Sequence, residues 1–582
     1  MNDPQPSPAI RSVLIAWLLA GLGACATPSP APPDLARPIA SLPATQAATT
    51  AHPLATKAAL RILDQGGAPI DAAIAAQMVL GLVEPQSSGI GGGSLIMHWD
   101  ATASRLSSYD GLAAAPATVT TGLSVDVDGK VLKSADMQRG GRSVGVPGTL
   151  AVLKQVHQRY GKLAWSALFD PAIELAEGGF PMPAYLHGIL ATPSAAAEHP
   201  EMLALYFGTD GQVLPIGKTV SNKAYAATLR RISARGPAGL WEEGAGTALI
   251  AALQRGYRNS LMTEADLPAY QARERAPLCA PFLAYSVCVM GPSSFGGIAV
   301  LQVLQMLEAR PANGPQRFNF DDTEFVHYYA EAGRLAQADR YQYVGDPDFV
   351  RVPTAGLLAG DYLRDRAGLI DSSKITRVVK PGQIAAAENQ TLAPAGEVAD
   401  ATSQIAIVDR QGNAISMTTT NNLNFGSRLM VDGFVLNNAL TNFSAAPRQG
   451  QAAPNRMQAG KRPVTSMAPT IVFNAAGKPI LVGGSAGGGQ LVDYISQSLV
   501  EMLANQRTPA QALARGHMST ALQGKLQLEQ GTAAAATAAA LSAKGHQVEI
   551  LPMLSGLGFL MKREDGWIGA ADPRRDGVAL GR

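Results

Sequence analysis

The spacing of apolar residues divides the chain into a helical first part and a strand-rich last part. The first apolar positions recur at helical spacing up to Gly66-Gly67, a natural helix stop, and Asp71 begins a second apolar helix. Helical spacing, interrupted by Pro and Gly, continues through residues 150–270. The same pattern predicts two more long helices, over residues 301–309 and 322–342.

Alternation of apolar and polar residues begins after about residue 400. Residues 404–413 are predicted to form a strand that ends in a turn, and residues 414–420 (AISMTTT) its hairpin partner. Residues 377–400, between the two parts, are polar and predicted to form a loop. The remaining predictions are strands at residues 94–99, 429–436, 470–473 and 480–482, and a helix at 491–503.

This order of elements indicates an α+β fold in which sheets lie between helical layers. The Ala-rich residues 531–543 are predicted to form a solvent-facing helix, and the chain contains no internal repeat. Residues 26–50 are rich in Pro, Ala and Thr, so we predict a linker there, with ordered structure beginning near His52.

The composition is that of a large globular protein. Of 582 residues, 47% are apolar and 16% are charged, which excludes the polar, highly charged composition of disordered chains. Lys plus Arg (47) and Asp plus Glu (45) leave a net charge of only +2, which argues against a nucleic-acid-binding protein. No apolar stretch reaches the roughly 18–20 residues of a transmembrane helix.

The N-terminal residues are predicted to be a targeting segment. An apolar run over residues 13–22 leads into the sequence LGAC, which ends at Cys25. The pattern is typical of a signal peptide, here residues 1–24, and a Cys after small residues resembles a bacterial lipobox. We therefore expect a lipidated Cys25, a tether over residues 25–50, and a periplasmic protein that meets the membrane only through the lipid. An ordinary signal peptide with an incidental Cys is the alternative.

The other two cysteines are consistent with export. Cys279 and Cys288 flank the short segment PFLAYSV, which could fold back as a hairpin and bring the thiols together. In an oxidising compartment this arrangement predicts a disulfide, with two unpaired buried cysteines as the alternative. With so few cysteines and no paired His at ligand spacing, we expect no metal site.

Two segments offer a catalytic nucleophile, and the more visible is GGSAG at residues 483–487. It fits the G-x-S-x-G elbow between a predicted strand and helix, with Ser485 as nucleophile. Asp493, His517 and His546 follow and could complete a triad. The alternative is a Gly-rich loop whose backbone N–H groups bind a ligand, because the chain after Ser485 is short for such a hydrolase.

The second candidate is Thr402, where the polar loop meets the first strand of the second part. Nothing local marks it as reactive, but the surrounding blocks do. In order they are GGAPIDAAIAAQ, GLVEPQSSGIGGGS, GGRSVGVPGTLA, GPSSFGG, EAGRLAQADR, VDRQGNAISMTTTNNLNFGS, GFVLNNALTNFS, KRPVTSMAPTIVF, GGSAGGG and ADPRRDGVALG. With these blocks in this order, the chain from about His52 onward resembles the gamma-glutamyltransferase (gamma-glutamyltranspeptidase) family of N-terminal-nucleophile hydrolases.

The resemblance implies a four-layer αββα sandwich and a proenzyme that cuts itself between Ala401 and Thr402. Residues 51–401 would form the large subunit and residues 402–582 the small subunit of one catalytic domain. The freed Thr402 amine then acts as general base for the Thr402 hydroxyl, so neither His nor cofactor is needed. By the same resemblance, Thr420 holds the nucleophile, and Gly487 and Gly488 donate N–H groups to the oxyanion.

The resemblance fails at the residues that bind the substrate. In the block DGLAAAPA, Leu112 stands where the family has the arginine that binds the glutamyl α-carboxylate. In the block NNALTNFS, Asn442 replaces the acid that holds the α-amino group. The expected polar contacts Asn422, Thr465 and Ser466 are kept. Two nearby cations, Arg139 and Arg142, are the alternative clamp, although their block resembles ordinary family sequence.

Four functions follow from these residues. The first is a self-processing enzyme acting on gamma-glutamyl amides such as glutathione, by hydrolysis or transfer to amines. The second is an acylase for glutaryl-like amides that lack the charged amino acid end, as in beta-lactam acylases of the same fold. The third is a non-enzymatic envelope lipoprotein, and the fourth is the serine hydrolase based on Ser485.

Overall fold

The computed structural model describes residues 39–119, 132, 134–192, 199–254, 259–310, 318–384, 401–444, 453–520 and 525–582. These residues belong to one compact unit. Among them, no helix is both long enough and apolar enough to span a bilayer.

Two seven-stranded antiparallel sheets form the centre of the protein. The first sheet contains, in spatial order, β1 (Ile39–Ala44), β20 (Gly566–Ala571), β19 (Gly558–Arg563), β15 (Pro479–Gly484), β14 (Thr470–Phe473), β9 (Tyr285–Val289) and β8 (Leu278–Phe282). The second contains β21 (Val578–Gly581), β2 (Ala47–Thr50), β10 (Ala401–Val408), β11 (Ala414–Asn422), β3 (Gly93–Asp100), β4 (Arg105–Gly111) and β7 (Arg273–Arg275).

Three smaller sheets lie outside this pair. They are β5 (Phe180–Pro181) with β6 (Thr219–Val220), β12 (Met430–Val431) with β13 (Phe434–Val435), and β16 (Met518–Ser519) with β17 (Lys525–Glu529) and β18 (Gln547–Leu551). The last sheet is mixed, because β17 and β18 run parallel.

The helices form one layer on each sheet. On the second sheet and around it are α1 (Pro53–Asp64), α2 (Pro69–Val83), α3 (Ser134–Met137), α4 (Thr149–Tyr160), α5 (Asp170–Gly178), α6 (Ala184–Ala191), α7 (Pro200–Tyr206), α8 (Lys223–Arg235), α9 (Ala245–Gln254) and α10 (Asp266–Ala269). The remaining helices are α11 (Phe295–Glu308), α12 (Thr323–Tyr343), α13 (Thr354–Leu357), α14 (Gly360–Ala367), α15 (Leu491–Leu503), α16 (Pro509–Leu513), α17 (Ala533–Ala536) and α18 (Ala538–Ala543).

Successive side chains of β10 point to opposite faces of its sheet and pack into two different apolar clusters. Ile405 and Ile407 pack into the apolar cluster shared with α1, α2, α4 and α8. Ala406 and Val408 face the other way, into the cluster between the two sheets. A third cluster joins the first sheet to α11, α12 and α15. The layers therefore follow the order helix, sheet, sheet, helix, as the predicted αββα sandwich requires.

The predicted linker over residues 25–50 is wrong at its C-terminal end, because β1 and β2 lie there. The four residues of β2, AATT, are buried between β10 and β21, whose residues lie hundreds of positions later in the chain. Short Ala and Thr side chains fit that crowded position but give no apolar alternation. The predicted signal peptide and Cys25 lie outside the described residues.

Other predicted elements differ in detail. The strand predicted over residues 429–436 is a hairpin of two two-residue strands, β12 and β13. The Ala-rich helix predicted over residues 531–543 is divided into α17 and α18. Cys279 and Cys288 stand directly opposite each other in β8 and β9, and their sulfur atoms form a disulfide bond.

Candidate active site

Thr402 lies at an irregularity of the central strand pair. The register of β10 with β11 shifts between Ala401, which pairs with Asn422, and Ser403, which pairs with Thr419. Such bulges re-aim side chains and are frequent beside active sites. Beyond the bulge, Ser403 faces the helical layer, where its hydroxyl donates to Glu84.

The hydroxyl of Thr402 touches the peptide bond that precedes it. Its Oγ1 lies 2.7 Å from the carbonyl oxygen of Ala401 and 3.2 Å from Oγ1 of Thr420. The Thr420 hydroxyl also contacts the Ala401 carbonyl oxygen, and it accepts a hydrogen bond from the Asn422 N–H at 2.8 Å. Two hydroxyl groups therefore converge on one carbonyl group, and the structure brings Ala401, Thr402 and Thr420 into contact.

Asn422 ends β11 in a left-handed conformation with φ of 83°. Asn is one of the few L-residues that adopt this conformation readily. Its side-chain amide donates to the backbone and side-chain oxygens of Asn438 and to Thr441, which lie in the block that follows β13. Asn422 therefore ties the end of β11 to the segment that carries Asn442.

A small cavity lies beside the Thr402 hydroxyl. Its volume is about 20 Å³, which is room for about one water molecule. The described residues that line it are Arg340, Thr402, Thr420, Asn422, Asn442, Val464, Thr465, Ser466, Met467 and Gly488. Six of the predicted site residues besides Thr402 thus surround one space, although they come from four segments of the chain.

The Gly-rich loop after β15 closes one side of this cavity. Gly488 lines the cavity, and the Ser466 hydroxyl donates to its carbonyl oxygen at 2.6 Å. Gly487 lies beside it but is not among the described lining residues. Both glycines have positive φ, 121° at Gly487 and 58° at Gly488, and a Cβ at Gly487 would lie 2.5 Å from the ring of Tyr494. Only glycine fits this turn without strain.

Leu112 and Asn442, the two departures from the family pattern, lie in different surroundings. Asn442 lines the cavity, and Asn455 donates to its backbone carbonyl oxygen. Leu112 is buried in the apolar cluster between the sheets and is not among the described lining residues. Neither Arg139 nor Arg142 is among the described lining residues either.

Sequence reasoning missed the charged groups around the nucleophile. Arg575 donates to the Thr402 carbonyl oxygen at 3.0 Å. Glu84, fully buried at the end of α2, accepts a hydrogen bond from Ser403 at 2.7 Å. Burial raises the pKa of Glu84 to about 7, and the positive charge of Arg575 limits the rise. Both residues stand in blocks that carry the family resemblance, which is the signal that could have identified them.

Arg340, on α12, is the other charged residue that sequence reasoning missed. It lines the cavity, and its guanidinium carbon lies 3.8 Å from the centre of the Phe295 ring. Burial lowers the pKa of Arg340 from its usual high value. Its block, EAGRLAQADR, also carries the resemblance, but the block alone gives no reason to choose this arginine.

The serine hydrolase based on Ser485 is excluded by the geometry. Ser485 is fully buried, and its hydroxyl donates to the carbonyl oxygen of Ala486. Asp493 is hydrogen-bonded to Ser519 and Tyr329, and the imidazole of His517 contacts Ser555 instead. Within the described parts of the chain, no His or acid contacts Ser485.

Residues 55–582 match the family model described as Gamma-glutamyltranspeptidase. The chain belongs to the gamma-glutamyltranspeptidase family. This membership confirms the predicted sandwich fold and the assignment of the chain as an enzyme, an amidohydrolase of the N-terminal-nucleophile type.

Relatives in the family carry two kinds of names. The glutathione hydrolase proenzyme of Bacillus subtilis (strain 168) is 32% identical over 548 residues, covering 91% of this chain and 90% of that protein. The acylase ACY 1 proenzyme of Pseudomonas sp. (strain SE83) is 31% identical over 540 residues, covering 91% and 92%. The crystal structure of cephalosporin acylase from Bacillus halodurans shares the fold, with a TM-score of 0.81 at 24% identity, covering 100% of this chain and 99% of that one.

Proposed function

We propose that the chain cuts its own Ala401–Thr402 peptide bond and then uses Thr402 as the nucleophile of an amidohydrolase. The observation that carries the proposal is the position of the Thr402 hydroxyl, 2.7 Å from the Ala401 carbonyl oxygen and within reach of Thr420. Cleavage would give a large subunit that ends at Ala401 and a small subunit of residues 402–582.

The first reaction is an acyl shift within the chain. Oγ1 of Thr402 attacks the carbonyl carbon of Ala401, and the hydroxyl proton passes to the Thr402 nitrogen as the C–N bond breaks. The product is an ester between Ala401 and Thr402. Water then hydrolyses this ester, which leaves a carboxylate on Ala401 and a free amine and hydroxyl on Thr402. The Thr420 hydroxyl stabilises the negative charge that develops on the Ala401 oxygen.

In the second reaction the same hydroxyl attacks an external amide. The Thr402 amine accepts its proton and returns it to the leaving amine, so that an acyl ester remains on Thr402. Water or another amine then takes the acyl group. Gly487 and Gly488 are proposed to donate to the oxyanion through their backbone N–H groups. In the uncut chain the cavity has a volume of only about 20 Å³, so access for the acyl group depends on the departure of Ala401 from its pairing with Asn422.

The proposed substrates are gamma-glutamyl amides, the class indicated by the relatives named glutathione hydrolase. A second candidate, an acylase for amides whose acyl group lacks an ammonium, is favoured by a specific observation. Among the described residues that line the cavity there is no Asp or Glu, because Asn442 stands at the amine-binding position. The relative named acylase ACY 1 proenzyme supports this candidate.

Substitution of Asn442 by Asp separates the two candidates. We would measure kcat/KM for gamma-glutamyl p-nitroanilide and for glutaryl p-nitroanilide in the wild type and in Asn442→Asp. If the enzyme is an acylase, the wild type prefers the glutaryl substrate and Asn442→Asp shifts the ratio toward gamma-glutamyl, because the new carboxylate pairs with the ammonium. A wild type that strongly prefers the gamma-glutamyl substrate establishes the first candidate.

Export and lipid attachment are also part of the proposal. The sequence LGAC after a short apolar run supports cleavage before Cys25 and lipidation of its thiol. The mature wild-type protein is expected in the membrane fraction and Cys25→Ser in the soluble periplasmic fraction. Wild-type protein recovered as a soluble periplasmic protein would refute the anchor and leave export intact.

A further inference from the structure

Arg340 is the one charged residue among the described residues that line the cavity beside Thr402. It lies in the last turn of α12, a helix of the layer on the first sheet. About nine-tenths of the residue is buried. A cation in this position must interact favourably with something, because an unpaired buried charge is strongly unfavourable.

The acidic residues near Arg340 are bound to other partners. Its neighbour Asp339 pairs with Arg366 at 3.1 Å and also accepts hydrogen bonds from Tyr362 and Gln302. Two and a half turns of α12 away, Glu331 pairs with Arg334. Within the described residues, no carboxylate forms an ion pair with Arg340.

An aromatic ring fixes the guanidinium at the wall of the cavity. The guanidinium carbon of Arg340 lies 3.8 Å from the centre of the Phe295 ring, a cation–π contact. The backbone N–H of Phe295 donates to the carbonyl oxygen of Thr465 at 2.9 Å, and Thr465 itself lines the cavity. The cation is therefore held in place before any ligand binds. The ring covers a face of the guanidinium, and no other described residue forms a hydrogen bond or ion pair with its N–H groups.

We propose that Arg340 binds the carboxylate at the far end of the acyl group that is transferred to Thr402. This inference rests on the proposed function and names the group that its substrate must carry. A planar guanidinium binds a carboxylate through two parallel hydrogen bonds, which fixes the orientation of the acyl chain as well as its charge. Arg340 thereby supplies the cation that Leu112 cannot supply.

The charge of the site then defines the substrate class. One cation faces the acyl group and, among the described lining residues, no anion does. The site recognises amides of dicarboxylic acids through the free carboxylate and makes no demand for an ammonium on the same acyl chain. Glutaryl-like amides satisfy this requirement, and neutral acyl amides do not.

The test uses two substrates that differ only at the far end of the acyl chain. Glutaryl p-nitroanilide ends in a carboxylate, and its glutaramoyl analogue ends in a neutral amide. We expect the wild-type ratio of kcat/KM, carboxylate over amide, to be about 100 or more, since truncating one partner of a buried charge pair has effects of this order. In Arg340→Gln the ratio falls to near 1. A ratio near 1 in the wild type, or an unchanged ratio in Arg340→Gln, overturns the assignment.

Arg334→Gln is the matched control, because this arginine lies on the same helix but pairs with Glu331 and does not line the cavity. It is expected to keep the wild-type ratio. If Arg340→Gln does not fold, Arg340→Lys keeps the charge without the planar fork, and its ratio should fall about tenfold. An unchanged ratio there is equally contrary to the proposal.

Binding of free glutarate separates this inference from the proposed function. Glutarate should raise the melting temperature of the cleaved wild type but not that of Arg340→Gln. If the wild type hydrolyses neither of these anilides nor gamma-glutamyl p-nitroanilide, the proposed function fails, and the melting experiment still decides the role of Arg340. If glutarate does not stabilise the wild type, the carboxylate site is refuted.

Discussion

Thr420→Val removes one hydroxyl from the catalytic pair and keeps the shape of the side chain. In the uncut chain this hydroxyl contacts both the Thr402 Oγ1 and the Ala401 carbonyl oxygen. Valine fills the same volume and suits a β-strand, so the change removes hydrogen bonds and little else. The Asn422 N–H, which donates to Thr420, loses its acceptor as well.

The magnitude follows from the charge that develops on the Ala401 oxygen during attack. Removal of one donor to such an oxyanion lowers the rate by about 10²–10³, which is equivalent to about 2.7–4 kcal/mol. We therefore expect self-cleavage of Thr420→Val to be about 10²–10³ slower than that of the wild type. Thr420→Ser restores the hydroxyl and is expected to recover most of the rate.

The assay follows newly synthesised protein. Cell-free translation is stopped, and the conversion of the full-length chain into two fragments is followed on a gel. Thr419→Val is the control, because Thr419 lies on the same strand but faces away, where it accepts a hydrogen bond from Ser94. The reasoning is refuted if Thr420→Val cleaves at the wild-type rate, or if Thr419→Val slows cleavage as strongly.

Two further predictions concern groups near the nucleophile. Burial raises the pKa of Glu84 from 4.5 to about 7, so the stability of the folded chain falls by about 3 kcal/mol as the pH rises through that interval. Between pH 5 and 8, the melting temperature of uncut Thr402→Ala protein should therefore fall more than that of the double variant Thr402→Ala with Glu84→Gln. Parallel melting curves for the two proteins would contradict this. Ser485→Ala removes only a local hydrogen bond to Ala486, so we expect normal self-cleavage and amide hydrolysis with about 1 kcal/mol lower stability. A Ser485→Ala protein that is cleaved but does not hydrolyse amides would instead support the serine hydrolase hypothesis.

The sequence predicts the parts of the fold whose pattern is local. The hairpin of β10 and β11 follows from alternation around a turn, and the apolar periodicity gives α15 its observed bounds. β2 has no such pattern, because its Ala and Thr residues are buried by β10 and β21, which lie far along the chain. Its burial is a property of the assembled sheet and cannot be read from its own residues.

The candidate site likewise contains residues that the sequence identifies and one that it does not. The resemblance identifies Thr402 and Thr420 because their blocks have a recognisable order, and the structure places their hydroxyls 3.2 Å apart. It also identifies the missing cation at Leu112. It could not identify Arg340, because what distinguishes this arginine is the absence of an acidic partner among the described residues, which is known only once the helices and sheets are packed.

Sequencing of the N-terminus of the purified protein tests the central claim most directly. The wild type is expected to yield two fragments, of which the smaller begins at Thr402 with the sequence TSQIAIV. Thr402→Ala is expected to remain a single chain. A wild-type protein that stays uncut, or one that is cut at another bond, would contradict the assignment of Thr402 as both the self-cleaving residue and the nucleophile.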